Sequence, residues 1–296
     1  MTKRIGIDRR HVPEKGMMSL NQHLKERKRG RLHSSAAKFT PTDIATLEAW
    51  HKVDTLSLNH NDPVASWSDS SGNGLTLAQS TTSKKPTYKT DHQLNGYDAL
   101  YFDGGDDLFT DSFPSTSNYN FFMIVVAEII NYSGNKYLIS FNDSSGQTNA
   151  HKHLAVRMFV DTDGSVSTNK ITIYRNDGSN QHNRSMQLGT DLGHSYPAIM
   201  CMGIEYRSGN ITDLYVWFNG SGGHIAYISR DNVDLTTYTL GSKGNGSNGI
   251  FQDYMYEAAV FNTMISTSDR QKMEGYLSAK YNIPLPSNHI YFAGAP

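Results

Sequence analysis

Cysteine is almost missing from these 296 residues: Cys201 stands alone, inside the apolar run Ala198-Ile199-Met200-Cys201-Met202. A disulfide within the chain is thereby excluded, which suits folding in a reducing compartment. With methionine on both sides, this thiol reads as an inert core group and not as a nucleophile. No stretch approaches the ~18 consecutive apolar residues of a membrane span, and the N-terminal residues lack the apolar segment of a secretion signal. Charge is sparse at 19%. There is no repeat of ~20–50 residues, which argues against a propeller or solenoid. Helical patterns between apolar runs are also lacking, which argues against alternating βαβ units.

What the chain does have is 25 glycines, 17 tyrosines and many Ser, Asn and Thr residues, a composition that suits short strands joined by polar turns. Strand-like runs recur at 119–130, 137–141, 154–160, 171–174, 198–206, 211–218, 224–228 and 250–261. The run from Phe121 to Val126 is apolar throughout, as in a strand buried on both faces. Near the C-terminus, Ser266 with Asp269 three residues later opens a helical pattern through Met273, Tyr276 and Leu277, which Pro284 and Pro286 end. Thr40-Pro41-Thr42-Asp43 predicts a second helix start, with Ile44, Leu47 and Trp50 along one helical face.

Net charge is −1, but the two signs are segregated. Residues 1–33 hold ten Lys or Arg against Asp8, Glu14 and Glu26, a net of +7, and the remainder carries −8. Residues 1–38 cannot bury enough apolar surface to fold alone. They read as a basic, extended arm whose Arg9, Arg10, Lys25, Arg27, Lys28, Arg29 and Arg31 meet an acidic partner. The arm lacks the interleaved aromatics that base stacking needs, so nucleic acid is not the expected partner. Residues 39–290 form the globular domain, and 291–296 a short tail.

The stretch around which the domain is organised begins Trp67-Ser68-Asp69-Ser70-Ser71-Gly72-Asn73-Gly74. An aromatic anchor precedes a turn in which Asp and Asn bond nearby backbone and the glycines permit positive φ. Pro86-Thr87-Tyr88 comes next, then Ala99-Leu100-Tyr101-Phe102-Asp103-Gly104-Gly105-Asp106-Asp107, a short strand stopping in an acidic turn. Together with Glu257-Ala258-Ala259-Val260-Phe261-Asn262 and the helix that ends at Tyr281, these segments resemble the laminin-G-like, concanavalin A-type jelly-roll superfamily of lectins and glucanases. The resemblance covers roughly residues 40–290. It implies an all-β, antiparallel two-sheet jelly-roll sandwich with short N- and C-terminal helices. Similarity to domains found in virion proteins of bacterial viruses implies a structural protein of a tailed-phage particle: a decoration, head-fibre or tail-associated protein.

Candidate chemistry is thin. Glucanases of this superfamily use two carboxylates on one strand, in a Glu-x-Asp-x-x-Glu or Glu-x-Asp-x-Glu pattern that this chain lacks. Asp253 and Glu257 are the one pair that alternation places on a common strand face, and a charge paired at the sheet end is the simpler explanation of Glu257. The expectation is therefore a chain without catalytic residues, glycoside hydrolysis being the disfavoured reading. Asp103, Asp106 and Asp107 crowd a turn and are weak calcium candidates, although such side chains commonly bond turn amides without metal; neither a metal nor any other cofactor is expected. His151 and His153 lack further ligands beside them for a transition-metal site. Sugar contact is the remaining option. In β-alternation, Tyr215 and Trp217 share one face of a strand and Tyr254 and Tyr256 one face of another, where flat rings can stack on a pyranose. The expected partners are therefore other capsid or tail proteins through residues 1–38, further copies of the chain, and a surface glycan, with assembly into a virion from the host cytoplasm. A glycan-binding lectin domain outside any virion is the rival reading.

Overall fold

The computed structural model describes residues 39–92, 96–113, 120–128, 134–142, 152–160, 170–177, 181–187, 197–207, 211–229, 235–243 and 249–296. The basic residues singled out in the arm lie outside them, as does His151. The chain divides between Lys38 and Phe39, and the described residues all belong to the second of the two units.

Two antiparallel eight-stranded sheets make up this unit. The first runs β14 (Ser221–Ser229), β13 (Ile211–Phe218), β12 (Pro197–Arg207), β7 (Phe121–Glu128), β16 (Gln252–Phe261), β5 (Ala99–Asp103) and β4 (Thr87–Lys89), with β1 (Leu47–Lys52) also paired to β16. The second runs β11 (Gln181–Gln187), β10 (Lys170–Asp177), β9 (Lys152–Val160), β8 (Gly134–Asn142), β15 (Thr237–Leu240), β6 (Phe109–Ser112), β3 (Leu77–Ala78) and β2 (Ser66–Trp67). This is the all-β jelly-roll sandwich that the sequence leads one to expect.

Alternation along β7 sorts the core into two layers. Phe121, Met123, Val125 and Ala127 face the second sheet, where Phe121 meets Phe113 and Phe141. Phe122, Ile124 and Val126 face the other way, onto the helix α1 (Thr267–Tyr281), whose Met273, Leu277 and Tyr281 complete a second core with Trp217 and Phe261. The domain is therefore three layers deep, and the unbroken apolar run of β7 is a result of burial on both faces. Ser266 caps α1 by accepting from the Asp269 N–H at 3.1 Å. Asn282, in the left-handed conformation at φ 56°, ends it.

The helix expected at Thr40 is not formed. Pro41–Asp43 makes one 3₁₀ turn, held by the Thr40 N–H on Asp43 Oδ2 at 2.8 Å, and the chain then enters β1. Leu47 and Trp50 do share a face, but through a register shift between Leu47 and Ala49 where β1 pairs with β16. In a regular strand, residues three apart point to opposite sides; the bulge returns them to one side and so imitates a helical spacing.

The Trp67–Gly74 corner is built as the residues require. Trp67 is fully buried. Asp69 Oδ1 accepts from the N–H groups of Trp50 and Ser71 at 2.9 and 2.8 Å, while Oδ2 accepts from Gly74 and Leu75 at 2.9 and 3.2 Å. Gly74 sits at φ +81°, a conformation that other residues reach only with strain. Partial burial opposes ionisation of Asp69, but the hydrogen bonds from Ser71 and Trp50 outweigh it and hold the carboxyl below its ordinary range.

Candidate functional site

The outer face of the first sheet receives the four aromatics that alternation selects, and α1 divides them. Leu214 and Val216 of β13 point to the second sheet, so Tyr215 and Trp217 point outward. Trp217, however, lies beneath α1, with the Arg270 guanidinium 4.6 Å from its ring centroid, and is 8% exposed. Tyr256 is fully buried, its hydroxyl donating to Glu128. These two rings are core side chains and do not form a sugar platform, because a helix covers that part of the sheet. Tyr215 and Tyr254 remain half-buried. The strand order places them on opposite sides of β12 and β7, toward the two margins of the sheet.

At the β12–β13–β14 margin, Tyr215 lies parallel to Trp217, with centroids 5.6 Å apart, and is surrounded by polar groups. Its hydroxyl lies 3.2 Å from Glu205 Oε2 and 3.3 Å from Asp213 Oδ2. Glu205 and Asp213 are direct cross-strand partners. Asp213 is fully buried; one oxygen is ion-paired with Arg207 Nε, and the other lies 3.6 Å from His224 Nε2. Tyr227, opposite Asp213 in the β13–β14 register, packs 4.4 Å from the His224 ring and is 57% exposed. Desolvation raises the Tyr215 pKa, against the lowering effect of a hydrogen bond from Arg207 and with the Asp213 and Glu205 charges adding to the rise, so the phenol keeps its proton. An exposed flat ring, a half-exposed carboxylate and an exposed guanidinium thus converge on one patch. Hydroxyl-rich rings are matched by such groups, since each hydroxyl both donates and accepts.

No local motif announces this patch, because its residues come from three strands. Glu205 lacks a second carboxylate nearby along its own strand; its carboxylate neighbour is cross-strand. The signal that was available is the pairing of Glu205-x-Arg207 with Asp213-x-Tyr215 across one hairpin.

At the opposite margin, Tyr254 lies 5.0 Å from Tyr101 and 3.7 Å from the His92 ring, with the Lys89 ammonium 5.5 Å from Tyr101. Beneath them Glu128 is fully buried. Its Oε1 takes the Tyr256 hydroxyl and lies 3.1 Å from His92 Nδ1, and its Oε2 has no hydrogen-bond partner among the described residues. Burial pushes the Glu128 carboxyl up to about 7, against the lowering effect of Tyr256 and with a further rise from Asp253.

The Asp253–Glu257 pair is corrected by a second bulge, between Met255 and Glu257. It turns Glu257 onto the helix side, where Oε1 accepts from Trp50 Nε1 at 2.7 Å and Oε2 from Lys280 and Tyr281 at 2.6 and 2.7 Å. Asp253 instead accepts from the Tyr254 N–H. Glu257 is thus a buried tie between β1, β16 and α1, and among the described residues it faces no second carboxylate across a cleft. Glu274 has a similar role, taking Arg270 Nη1 at 2.5 Å and His289 Nε2 at 2.9 Å, with Cys201 Sγ at 3.6 Å. Cys201 is enclosed, and its thiol is pushed far up by burial.

Asp103, Asp106 and Asp107 bring carboxylate oxygens within 4.8 Å of one another. Asp103 Oδ1 accepts from the Gly105 N–H at 2.7 Å and Asp107 Oδ2 from the Asp103 N–H at 2.9 Å. Turn amides thus already occupy two of the three side chains.

No protein-family model matches the chain, and no curated protein matches it. Among solved structures it is similar to the binding domain of botulinum neurotoxin DC, in complex with SialylT, at 8% identity and a TM-score of 0.52, over 79% of this chain and 51% of that one. It is also similar to domain 4 of AbnA, a GH43 extracellular arabinanase from Geobacillus stearothermophilus, in complex with arabinotriose, at 12% identity and a TM-score of 0.48, over 76% and 96% of the two chains. A third is full-length tailspike protein 2 from Escherichia coli O157:H7 bacteriophage CAB120, at 14% identity and a TM-score of 0.43, over 78% and 29%. At such identities the likeness is one of fold.

Proposed function

We propose that this chain is a non-enzymatic glycan-contacting sandwich that serves as a structural component of a virus particle, carried there by its basic arm. The observation that carries the glycan contact is the exposed Tyr227 ring opposite Asp213 in the β13–β14 register, with Arg207 paired to the same Asp213 and Glu205 its cross-strand partner on β12. The buried carboxylates Glu257 and Glu274 are consumed in ties to α1, which favours binding over turnover. A glycan array tests the contact. Selective binding that is lost in Tyr227→Ala supports the reading, and silence of the folded protein across the array would remove it. Trp217→Ala is unsuitable for this purpose because Trp217 is a core residue.

The particle reading rests on the segregated charge, +7 in residues 1–33 against −8 in the rest, which suits an arm that docks on an acidic neighbour. Deleting residues 1–38 should leave a soluble sandwich that no longer joins its particle. A truncated chain that assembles normally would leave the rival reading, a free lectin domain.

A further inference from the structure

The same margin also bears on which glycans it can take, an inference that rests on the glycan-contact reading. Arg207 is the cation of the patch, and its Nε is already paired with a carboxylate that is wholly enclosed, Asp213. That pairing fixes the plane of the guanidinium and cancels its charge locally. Asp213 keeps one oxygen without a hydrogen bond among the described residues, facing His224 Nε2 at 3.6 Å. Glu205 then adds a second carboxylate, held at one oxygen by the Tyr215 hydroxyl at 3.2 Å and half-exposed. Two carboxylates thus stand against one guanidinium, with Tyr227 and Tyr215 supplying uncharged surface. A carboxylated or sulfated sugar would bring a third negative charge into this arrangement. A neutral sugar meets complementary groups: one hydroxyl accepts from Arg207 while its neighbour donates to Glu205. The apolar face of the ring can lie on Tyr227.

We infer that this margin takes an uncharged sugar, recognised through a vicinal pair of hydroxyls between Arg207 and Glu205 with its ring on Tyr227, and that it discriminates against acidic sugars. Asp213 acts as a positioning residue, orienting Arg207 and Tyr215.

The test is titration calorimetry of the full chain with neutral methyl hexopyranosides and, in parallel, with N-acetylneuraminic acid and glucuronate, each at low and at physiological salt. Neutral glycosides should bind more tightly than the acidic sugars. Tyr227→Ala, at an exposed side chain, should weaken neutral-sugar binding by about tenfold or more without moving the unfolding midpoint. Arg207→Gln should weaken it as much while also lowering the midpoint, because enclosed Asp213 loses its cation. Glu205→Gln should raise acidic-sugar affinity by about tenfold at low salt and by less at physiological salt, because one repelling charge is gone and salt screens what remains. If the acidic sugars bind more tightly than the neutral ones and Glu205→Gln leaves their ratio unchanged, the ligand class is wrong while the glycan reading stands. Neutral-sugar binding that survives both Tyr227→Ala and Arg207→Gln would place the site elsewhere and overturn the inference alone. No binding of either class, with the array also silent, would remove both.

Discussion

Replacing Glu128 and His51, one at a time, should tilt the pH dependence of stability in opposite directions. His51 is fully buried, stacked on Tyr238 at 5.8 Å, with Nδ1 3.2 Å from the Trp67 carbonyl. Burial lowers its pKa from 6.5 to about 4, against opposing contributions from Asp69, the Ser68 and Trp67 backbone and Asp111. A lowered folded value means that the stabilisation is present above pH 6.5 and is lost as pH falls toward 4. At about 1.4 kcal/mol per unit, the swing is about 3 kcal/mol. Glu128 runs the other way: its pKa rises from 4.5 to about 7, so stabilisation is present below 4.5 and is lost as pH rises toward 7. The same conversion gives about 3 kcal/mol, which we reduce to about 2 kcal/mol for screening through the partly open His92 side. The two windows overlap, so the wild-type chain should show a shallow profile between them. Urea unfolding at a series of pH values checks this. The stability of Glu128→Gln relative to wild type should rise with pH by about 2 kcal/mol, and that of His51→Gln should rise as pH falls by about 3 kcal/mol. Subtracting wild type removes the contributions of groups that do not interact with the replaced residue, Asp107 among them. If both variants run parallel to wild type across the window, neither group is shifted and the argument from burial fails.

Glu257→Ala should cost about 3–5 kcal/mol, because Trp50 Nε1, the Tyr281 hydroxyl and the Lys280 charge lose their common buried acceptor; a urea midpoint equal to wild type would refute the tie. Arg270→Ala should cost about 3 kcal/mol by uncovering Trp217 and removing the cation paired with Glu274. It should also shift tryptophan emission to the red, a shift that is absent in a Trp217→Phe background. Calcium and EDTA should leave the unfolding midpoint unchanged, since turn amides already occupy Asp103 and Asp107; a midpoint that rises with calcium concentration would show binding to the folded state.

How far the fold could be read in advance depends on where the signals are local. The unbroken apolar run of β7, the Ser266 cap and the Asp69 corner each encode their structure within a few residues, and each is found as expected. The edge strand β11 was not legible: Gln-His-Asn-Arg-Ser-Met-Gln has a single apolar residue, and its pairing with β10 comes from register, not composition. The two bulges in β1 and β16 defeated period counting, turning a strand into an apparent helical face at Leu47 and Trp50 and splitting Asp253 from Glu257. For the site, alternation correctly sent Tyr215 and Trp217 outward but could not reveal that α1 lies over Trp217. That cover depends on Arg270, some fifty residues away in the chain.

The position of β16 also matters for synthesis. It runs through the middle of the first sheet, between β7 on one side and β1 and β5 on the other, yet it leaves the ribosome after every other strand. Until it arrives, the first strands of that sheet cannot be joined to the rest, and β7 displays a greasy edge and an uncapped surface to water. Nascent chains stalled before Gln252 should therefore recruit chaperones, while those extended past Tyr281 should be released from them.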